Sequence, residues 1–122
     1  MALISSKAEK IADDVLSSNE EILSVSVIDW TGNILAVKSK ESFKKRFRVN
    51  SLEGSRYSGT LAVAALAVAN EVKGVFGEPE SIITLHKYCK LMLLPMLSYE
   101  ILVGLALKRS PDTEEKGYNI AN

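Results

Sequence analysis

The sequence is short of the residues from which crosslinks, metal sites and active sites are usually built. Its 122 residues include one cysteine, Cys89, and one histidine, His86. A single cysteine excludes an internal disulfide and agrees with a reducing, cytoplasmic location. A structural zinc site needs four ligands, and the chain offers no second pair of this kind. We therefore expect no metal and no cofactor.

The sequence also has no excess of charge of either sign. It carries 15 basic and 15 acidic side chains, so its formal net charge is zero, and nothing in the total favours DNA or RNA as a partner. Its longest apolar run, residues 61–69, is well short of the ~20 residues of a membrane-spanning helix. The N-terminus lacks the apolar core of a signal peptide. We expect a cytoplasmic protein without a transmembrane segment.

Catalytic constellations are missing from the sequence as well. His86 is the only good general base, and no serine or cysteine near it in the sequence has the signature of an activated nucleophile. Asp13 and Asp14 are adjacent, so they cannot share one face of a helix. Gly54 and Gly59 lack the spacing and the lysine of a phosphate-binding P-loop. We predict that the protein is not an enzyme.

What the sequence does have is an order of helix and strand signals typical of an α+β domain. After a first amphipathic helix, strands are predicted at residues 23–28, 34–37, 81–86, 89–94 and 99–107, and a long apolar helix at 60–76. In the first strand, valines alternate with Ser24 and Ser26, which predicts one buried face. Gly77 is expected to cap the long helix and Pro95 to end the fourth strand. We expect one domain over residues 1–109 and a polar tail over residues 110–122.

The long helix at residues 60–76 is apolar on two sides. One line at helical spacing is predicted to face the sheet, and it consists of Leu61, Ala64, Ala65, Val68, Val72 and Val75. A second line is almost free of charge, and it consists of Val63, Leu66, Ala67, Asn70 and Gly74. A helix that is apolar on two sides needs a cover on both, and a chain of this length has little left to supply the second cover. We therefore predict that a second copy of the protein covers the second line.

Residues 38–48 concentrate positive charge. Six bases and one acid give this segment a charge of +5, so the rest of the chain sums to −5. Phe43 and Phe47, with bases between them, suit either one helical turn or a strand leading through Val49 to Leu52. The segment is either a solvated connector or a docking patch for an anion or a partner. The candidate docking bases are Lys44, Lys45, Arg46 and Arg48.

The turn between the first two strands contains the single tryptophan. Asp29 suits the first position of a tight turn, and Gly32 suits a position that requires positive φ. Trp30 lies between them. It either folds back over the edge of the sheet or serves as an exposed anchor for a partner, and in the second case it joins the candidate docking residues.

Three segments, in this order, resemble the roadblock/LC7 domain family, a branch of the profilin-like group that includes longin domains. Residues 24–36 are similar to the family's opening of strand, acidic turn with glycine, and strand. Residues 59–72 are similar to its Ala-rich helix, and residues 90–107 to its hairpin with a proline near the turn and an apolar last strand. The family usually has a third helix after that strand, where this chain has a polar tail. The basic connector is also longer than usual.

The resemblance implies a profilin-like, five-stranded antiparallel sheet in the order 2-1-5-4-3 with helices on its faces. It also implies dimers in which the third strands pair edge to edge and the central helices pack together. Carried onto this chain, the dimer interface comprises Val63, Leu66, Ala67, Asn70, Gly74, Ser81, Ile82, Ile83, Thr84 and Leu85. Such domains serve as non-catalytic regulators or docking platforms for small Ras-like GTPases, or as dynein light chains. We therefore expect a homodimeric adaptor, or one paired with a roadblock-like paralogue, that docks such a GTPase.

Two alternatives remain open at the level of sequence. The first is a profilin- or PAS-like sensory module that binds a small molecule between sheet and helix, although the residues available for such a pocket are mainly aliphatic. The second is a protein that docks on an anionic surface, either membrane or nucleic acid, through the basic segment 38–48. Binding of that kind weakens steeply with salt.

Overall fold

The computed structural model describes residues 5–47 and 51–109, which form a single sheet with helices on both faces. The elements are α1 (Ser5–Ser17), β1 (Ile22–Asp29), β2 (Ile34–Ser39), α2 (Glu41–Phe47), α3 (Ser51–Phe76), β3 (Ile82–Leu85), β4 (Lys90–Met96) and β5 (Ile101–Leu107). All strand pairs are antiparallel, and their order is β2-β1-β5-β4-β3. The predicted α+β class and strand order are confirmed. The polar tail predicted at 110–122 lies outside the described residues.

Two cores lie on opposite faces of the sheet. On one face, Ala8 and Ala12 of α1 are fully buried in a cluster with Val25 of β1. On the other face, Ala62 of α3 is fully buried in a cluster with Ile28. Alternate residues of β5 contribute to the two cores, as the period of a strand requires. β5 is therefore covered on both faces, which agrees with its almost wholly apolar sequence.

β1 is also buried on both faces, so the prediction of one buried face is wrong. Ser24 and Ser26 are buried because the helices that follow β2 cover their side of the sheet. Ser24 Oγ lies 2.7 Å from Ser39 Oγ on β2, so its hydroxyl group has a hydrogen-bond partner inside the protein. A buried hydroxyl group with such a partner is well tolerated. The alternation of serines and valines in β1 therefore marks two faces of different polarity, and both faces are buried.

Most of the described residues between β2 and Thr60, where no long element was predicted, are helical. The two phenylalanines lie in α2, with ring centroids 4.9 Å apart, which confirms the helical alternative for this stretch. α3 then begins at Ser51 rather than Thr60. Gly54 and Gly59 concealed this beginning, since each glycine disfavours a helix by about 1 kcal/mol relative to alanine.

α3 ends where the sequence predicted. Gly77 has φ of +88°, and its backbone N–H donates a hydrogen bond to the carbonyl oxygen of Lys73 at 2.7 Å. This is the left-handed glycine cap that closes many helices. The chain then turns back toward β3.

β4 continues through Pro95, which was predicted to end it. Pro95 pairs with Leu102 of β5. On the side of β4 away from β5, the short strand β3 begins at Ile82, which pairs with Leu93. Among the described residues, no strand pairs with β4 on that side after Leu93. Proline lacks a backbone N–H and is tolerated in a sheet where one side needs no hydrogen bond. The short β3 therefore explains why β4 does not end at Pro95.

Candidate interaction surfaces

α3 contacts the sheet through small side chains. Ala62 is fully buried, Gly59 is buried one turn before it, and Leu66 packs half-buried against the same core. The prediction that Val68 faces the sheet is wrong, because 67% of this residue is exposed. The helix lies so close to the sheet that glycine and alanine occupy the contact. The larger valines therefore lie on the sides of the helix.

Four of the five predicted seam residues lie on one side of α3. Successive residues are about 100° apart around a helix, so these four form a line next to the sheet-facing one, and this line is largely exposed. We call this line the Ala–Gly flank; it consists of Val63, Ala67, Asn70 and Gly74. Leu66 differs because it already packs against the core. A Cβ added to Gly74 would meet nothing within 4 Å, so the flank is open to a second helix.

A second exposed line lies on the opposite side of α3. We call it the valine flank; it consists of Val68, Val72 and Val75. Val75 is 82% exposed, and Phe76 at the helix end is exposed to a similar degree. By length and composition alone, Gly59–Phe76 is apolar enough to cross a membrane, a property shared by core helices of soluble proteins. The unbroken apolar run at residues 61–69 is shorter than this stretch and therefore underestimated the length of the apolar part of the helix. Both flanks therefore offer apolar surface that the described chain leaves uncovered, which is typical of an interaction site.

β3 forms one edge of the sheet and pairs only with β4 among the described strands. Ile83 is 51% exposed and Leu85 is exposed, whereas Ile82 and Thr84 are half-buried. Ser81, which belongs to the predicted interface, is exposed just before the strand. An apolar strand with one unpaired side can accept a further strand. Both parts of the predicted interface are thus accessible in the single chain.

The β1–β2 turn is built around the carboxylate of Asp29. Its Oδ1 accepts hydrogen bonds from the Thr31 hydroxyl at 2.7 Å, the Thr31 N–H at 2.9 Å and the Asn33 N–H at 3.0 Å. Burial by itself raises the pKa of Asp29, but these hydrogen bonds outweigh it and lower the pKa below its ordinary value. Gly32 has the predicted positive φ, +94°. Asp29 therefore holds the turn in shape.

Trp30 lies at the tip of this turn and is 41% exposed. The turn also contacts α3, since a Cβ added to Gly32 would lie 3.0 Å from Val63 Cγ2. The turn that carries Trp30 thus lies beside Val63, at one end of the Ala–Gly flank. Trp30 is partly covered and partly exposed, and its role as a partner anchor stays a prediction.

α2 carries three of the four predicted docking bases, Lys44, Lys45 and Arg46, and Arg48 lies outside the described residues. No residue of α2 is buried. Lys44 pairs with Glu41 at 3.5 Å, whereas Lys45 and Arg46 have no carboxylate partner within the part of the chain that the structure describes. Trp30 is at the far end of β1, roughly 25 Å away by strand length. The structure therefore does not bring Trp30 and these bases together.

The single histidine and the single cysteine flank the β3–β4 turn. The His86 N–H donates to the Cys89 carbonyl oxygen at 2.9 Å, and His86 Nε2 lies 2.9 Å from Thr84 Oγ1. Burial raises the pKa of the Cys89 thiol, opposed by the positive charge of Arg46, so the thiol is protonated at neutral pH and a poor nucleophile. Among residues 5–47 and 51–109, no three metal-binding side chains cluster.

The structure gathers further bases beside α2 that the sequence did not associate with it. Leu107 pairs with both Lys90 and Ile22, so the start of β4, the end of β5 and the start of β1 share one end of the sheet. α2 follows β2 at that same end. Lys40, just before α2, donates to the Glu20 carbonyl oxygen there at 3.1 Å. We call this surface the basic end; it consists of Lys44, Lys45, Arg46, Lys87, Lys90, Lys108 and Arg109.

Comparison with solved structures identifies the fold. A roadblock/LC7 domain from Streptomyces avermitilis has a TM-score of 0.64 at 9% identity, covering 90% of this chain and 81% of that domain. The gliding protein MglB from Thermus thermophilus has a TM-score of 0.62 at 17% identity, covering 88% and 78%. An MglB with a tetrameric arrangement has a TM-score of 0.61 at 15% identity, covering 100% and 90%. The chain therefore has the roadblock/LC7 fold.

Comparison of sequences finds no corresponding relation. No protein-family model matches the chain, and no curated protein matches it. The likeness is carried by the path of the backbone: the strand order β2-β1-β5-β4-β3, with α1 on one face and α3 on the other.

Proposed function

We propose that this chain is a non-catalytic, cytoplasmic adaptor of the roadblock/LC7 type that acts as a dimer and docks or regulates a small Ras-like GTPase. The dimer consists of two copies, or of one copy and a roadblock-like paralogue. One observation carries the proposal: a chain with this fold leaves the apolar sides of α3 and the edge of β3 uncovered by its described residues.

The proposed dimer has a two-fold axis, so that the same surface serves on both copies. The two β3 edges pair and join the sheets, while the Ala–Gly flanks of the two α3 helices face each other. Alanine and glycine at positions 67 and 74 let the helix axes approach closely, and Ile83 adds exposed apolar area at the strand edge. Leu66 contributes least to this interface, because it already packs against its own core.

The GTPase partner is proposed from the resemblance to roadblock/LC7 domains, which dock or regulate such proteins. The chemistry of the described residues supports a role through contact. The Asp29 carboxylate is occupied by its turn, the pKa of Cys89 is raised, and His86 bonds to a neighbouring threonine. A protein of this kind acts by presenting a surface.

The dimer is tested by light scattering coupled to size-exclusion chromatography. We expect a dimer for the wild type and a folded monomer for Ala67→Glu, because the change places a charge in the proposed seam. Ser6→Glu is the matched control, since it adds the same charge at an exposed site on the opposite face of the sheet and should leave the dimer intact. A wild type that stays monomeric at micromolar concentration contradicts the proposal.

A second variant decides which side of α3 is covered. Val68→Glu places the same charge on the valine flank. If Val68→Glu dissociates the dimer and Ala67→Glu does not, the dimer exists but its seam is the valine flank. If Ala67→Glu alone dissociates it, the Ala–Gly flank is the seam.

The GTPase is tested by affinity capture with the immobilised wild-type protein. Extract of the source cells is loaded with a non-hydrolysable GTP analogue or with GDP, and retained proteins are identified by mass spectrometry. We expect a small Ras-like GTPase that is retained preferentially in one nucleotide state. The absence of any such GTPase from both samples argues against this partner, whatever the oligomeric state.

A further inference from the structure

We propose that the basic end docks this protein onto bilayers that contain anionic lipids. The proposal goes beyond the adaptor function and does not depend on it. It concerns a surface at one end of the sheet, whereas the proposed dimer uses α3 and the edge of β3.

The basic end has a surplus of positive charge although the whole chain is neutral. Among residues 5–47 and 51–109, this end carries seven cations and three carboxylates, those of Glu20, Glu21 and Glu41. The backbone carbonyl oxygen of Glu20 accepts a hydrogen bond from Lys40 Nζ, and that of Glu21 accepts one from the N–H of Lys108. Both residues therefore lie at this end of the sheet. Of these three carboxylates, only that of Glu41 forms an ion pair with a described residue, Lys44. The local excess is therefore a product of folding.

Three separate segments are fixed side by side at this end. Arg109 Nη1 donates to the His86 carbonyl oxygen at 2.6 Å, which ties the end of β5 to the β3–β4 turn carrying Lys87. The charge of Arg46 reaches Cys89 on the other side of the same turn, so α2 lies close by. The start of α2, the β3–β4 turn and the end of β5 therefore lie together at this end of the sheet. A flat, anionic surface can therefore touch all three at once.

Aromatic side chains lie among these cations. Tyr88 is 58% exposed at the tip of the β3–β4 turn, and Lys87 Nζ lies 5.4 Å from the centroid of its ring. In α2, the Arg46 guanidinium lies 5.8 Å from the centroid of the Phe47 ring. Tyrosine and lysine together are typical of the layer where a protein meets lipid headgroups.

The same contacts favour a bilayer over nucleic acid as the ligand. Single-stranded DNA and RNA bind by stacking their bases on open aromatic faces. Here the cations Lys87 and Arg46 each cover one face of the nearest ring. An amphipathic ring beneath a cation still suits the headgroup layer, where the ring meets acyl chains and the cation meets phosphate.

Sedimentation with lipid vesicles tests the proposal. The full-length protein is mixed with vesicles of phosphatidylcholine alone or with about 30% phosphatidylserine, at about 0.1 M and 1 M NaCl. We expect binding to the anionic vesicles at low salt only, because the screening length falls from about 10 Å to about 3 Å between these conditions. Each cation removed should lower the partition coefficient onto anionic vesicles about fivefold. The variants are Lys87→Gln, which removes one cation, and Lys45→Gln combined with Arg46→Gln, which removes two. Lys10→Gln on α1 is the matched control and should change nothing.

Four results would overturn the proposal. They are no binding to anionic vesicles, equal binding to phosphatidylcholine vesicles, binding that the Lys87 and α2 variants leave unchanged, and tighter binding to an oligo-dT of about 30 nucleotides than to the anionic vesicles. Equal binding to neutral lipid would mean that the apolar flanks of α3 make the contact. Trp30, the single tryptophan, adds an orientation test. It lies at the other end of β1, so its fluorescence maximum should not move when vesicles are added, and a blue shift contradicts the proposed orientation.

Discussion

Gly32 and Gly59 approach so closely that a Cβ on Gly59 would lie 3.0 Å from the carbonyl oxygen of Gly32. It would also lie 3.2 Å from Cδ1 of Ile34. The β1–β2 turn and α3 therefore meet with no side chain from Gly59 between them. This contact sets how α3 crosses the sheet, and hence which sides of the helix remain uncovered.

Gly59→Ala is expected to lower the free energy of unfolding by about 1–3 kcal/mol, because the added methyl group forces the turn and the helix apart. Urea denaturation measures the change. Gly74→Ala is the matched control, since a Cβ there meets nothing within 4 Å in the single chain. Because Gly74 lies in the proposed seam, both variants are compared in the monomeric Ala67→Glu background. In the monomer it should stabilise by about 0.5–1 kcal/mol through helix propensity. Equal effects of the two variants would contradict the close approach at Gly59.

The orientation of α3 predicts opposite outcomes for two glutamate substitutions on one helix. Ala62→Glu buries a carboxylate in the core and should cost about 3–5 kcal/mol, enough to unfold a domain of ordinary stability. Val68→Glu should leave the fold intact, because 67% of Val68 is exposed. Circular dichroism during thermal unfolding distinguishes the two. Unfolding by Val68→Glu would show that this side of the helix faces the core after all.

The lowered pKa of Asp29 predicts that the free energy of unfolding depends on pH in acid. Its folded-state pKa lies below the ordinary value, so the unfolded chain binds more protons and stability rises with pH. The contribution is complete above the ordinary pKa, about 3.9, and is lost as the pH falls through the folded-state pKa. Asp29→Asn should cost about 1 kcal/mol at neutral pH and flatten the fall in stability in acid, below about pH 5. A fall in stability in acid that Asp29→Asn leaves unchanged would contradict this role of the carboxylate.

Glu100 predicts a stabilising substitution. It is the one residue other than glycine with positive φ among the described residues, with φ of +55° just before β5, and it is exposed. A left-handed conformation costs a residue with a Cβ about 1–2 kcal/mol. Glu100→Gly should therefore raise the free energy of unfolding by about 0.5–1 kcal/mol, net of the added chain entropy. Glu100→Ala keeps the Cβ and should have little effect; a gain from both variants would point to the lost charge instead.

Elements whose pattern is local were predicted well. The valines of β1, the apolar run of β5 and the amphipathic pattern of α1 each depend on nearest neighbours in the sequence, and each element formed. The hairpin turn at Asp29 and the cap at Gly77 were also correct, because turn and cap chemistry depends on one or two residues. The beginning of α3 was missed because its glycines argue locally against a helix, although one of them is needed for contact with the turn.

The candidate surfaces were predicted less completely, for reasons that lie in packing. The seam at Val63, Ala67, Asn70 and Gly74 is accessible, but Val68 was assigned to the wrong side of the helix. The assignment followed helical spacing alone, whereas the close approach at Gly59 places small side chains against the sheet. Lys87 and Arg109 could not be associated with α2 from the sequence, because only strand register brings them to the same end.

The sequence by itself determined the succession of α1, the five strands and the apolar part of α3, together with the turn at Asp29 and the lack of a local catalytic or metal-binding motif. These depend on residues close together in the chain. Only the tertiary structure decided which side of α3 meets the sheet and where the positive charge collects. Those features depend on distances between backbones that are remote in sequence, and a pattern along one chain does not contain those distances.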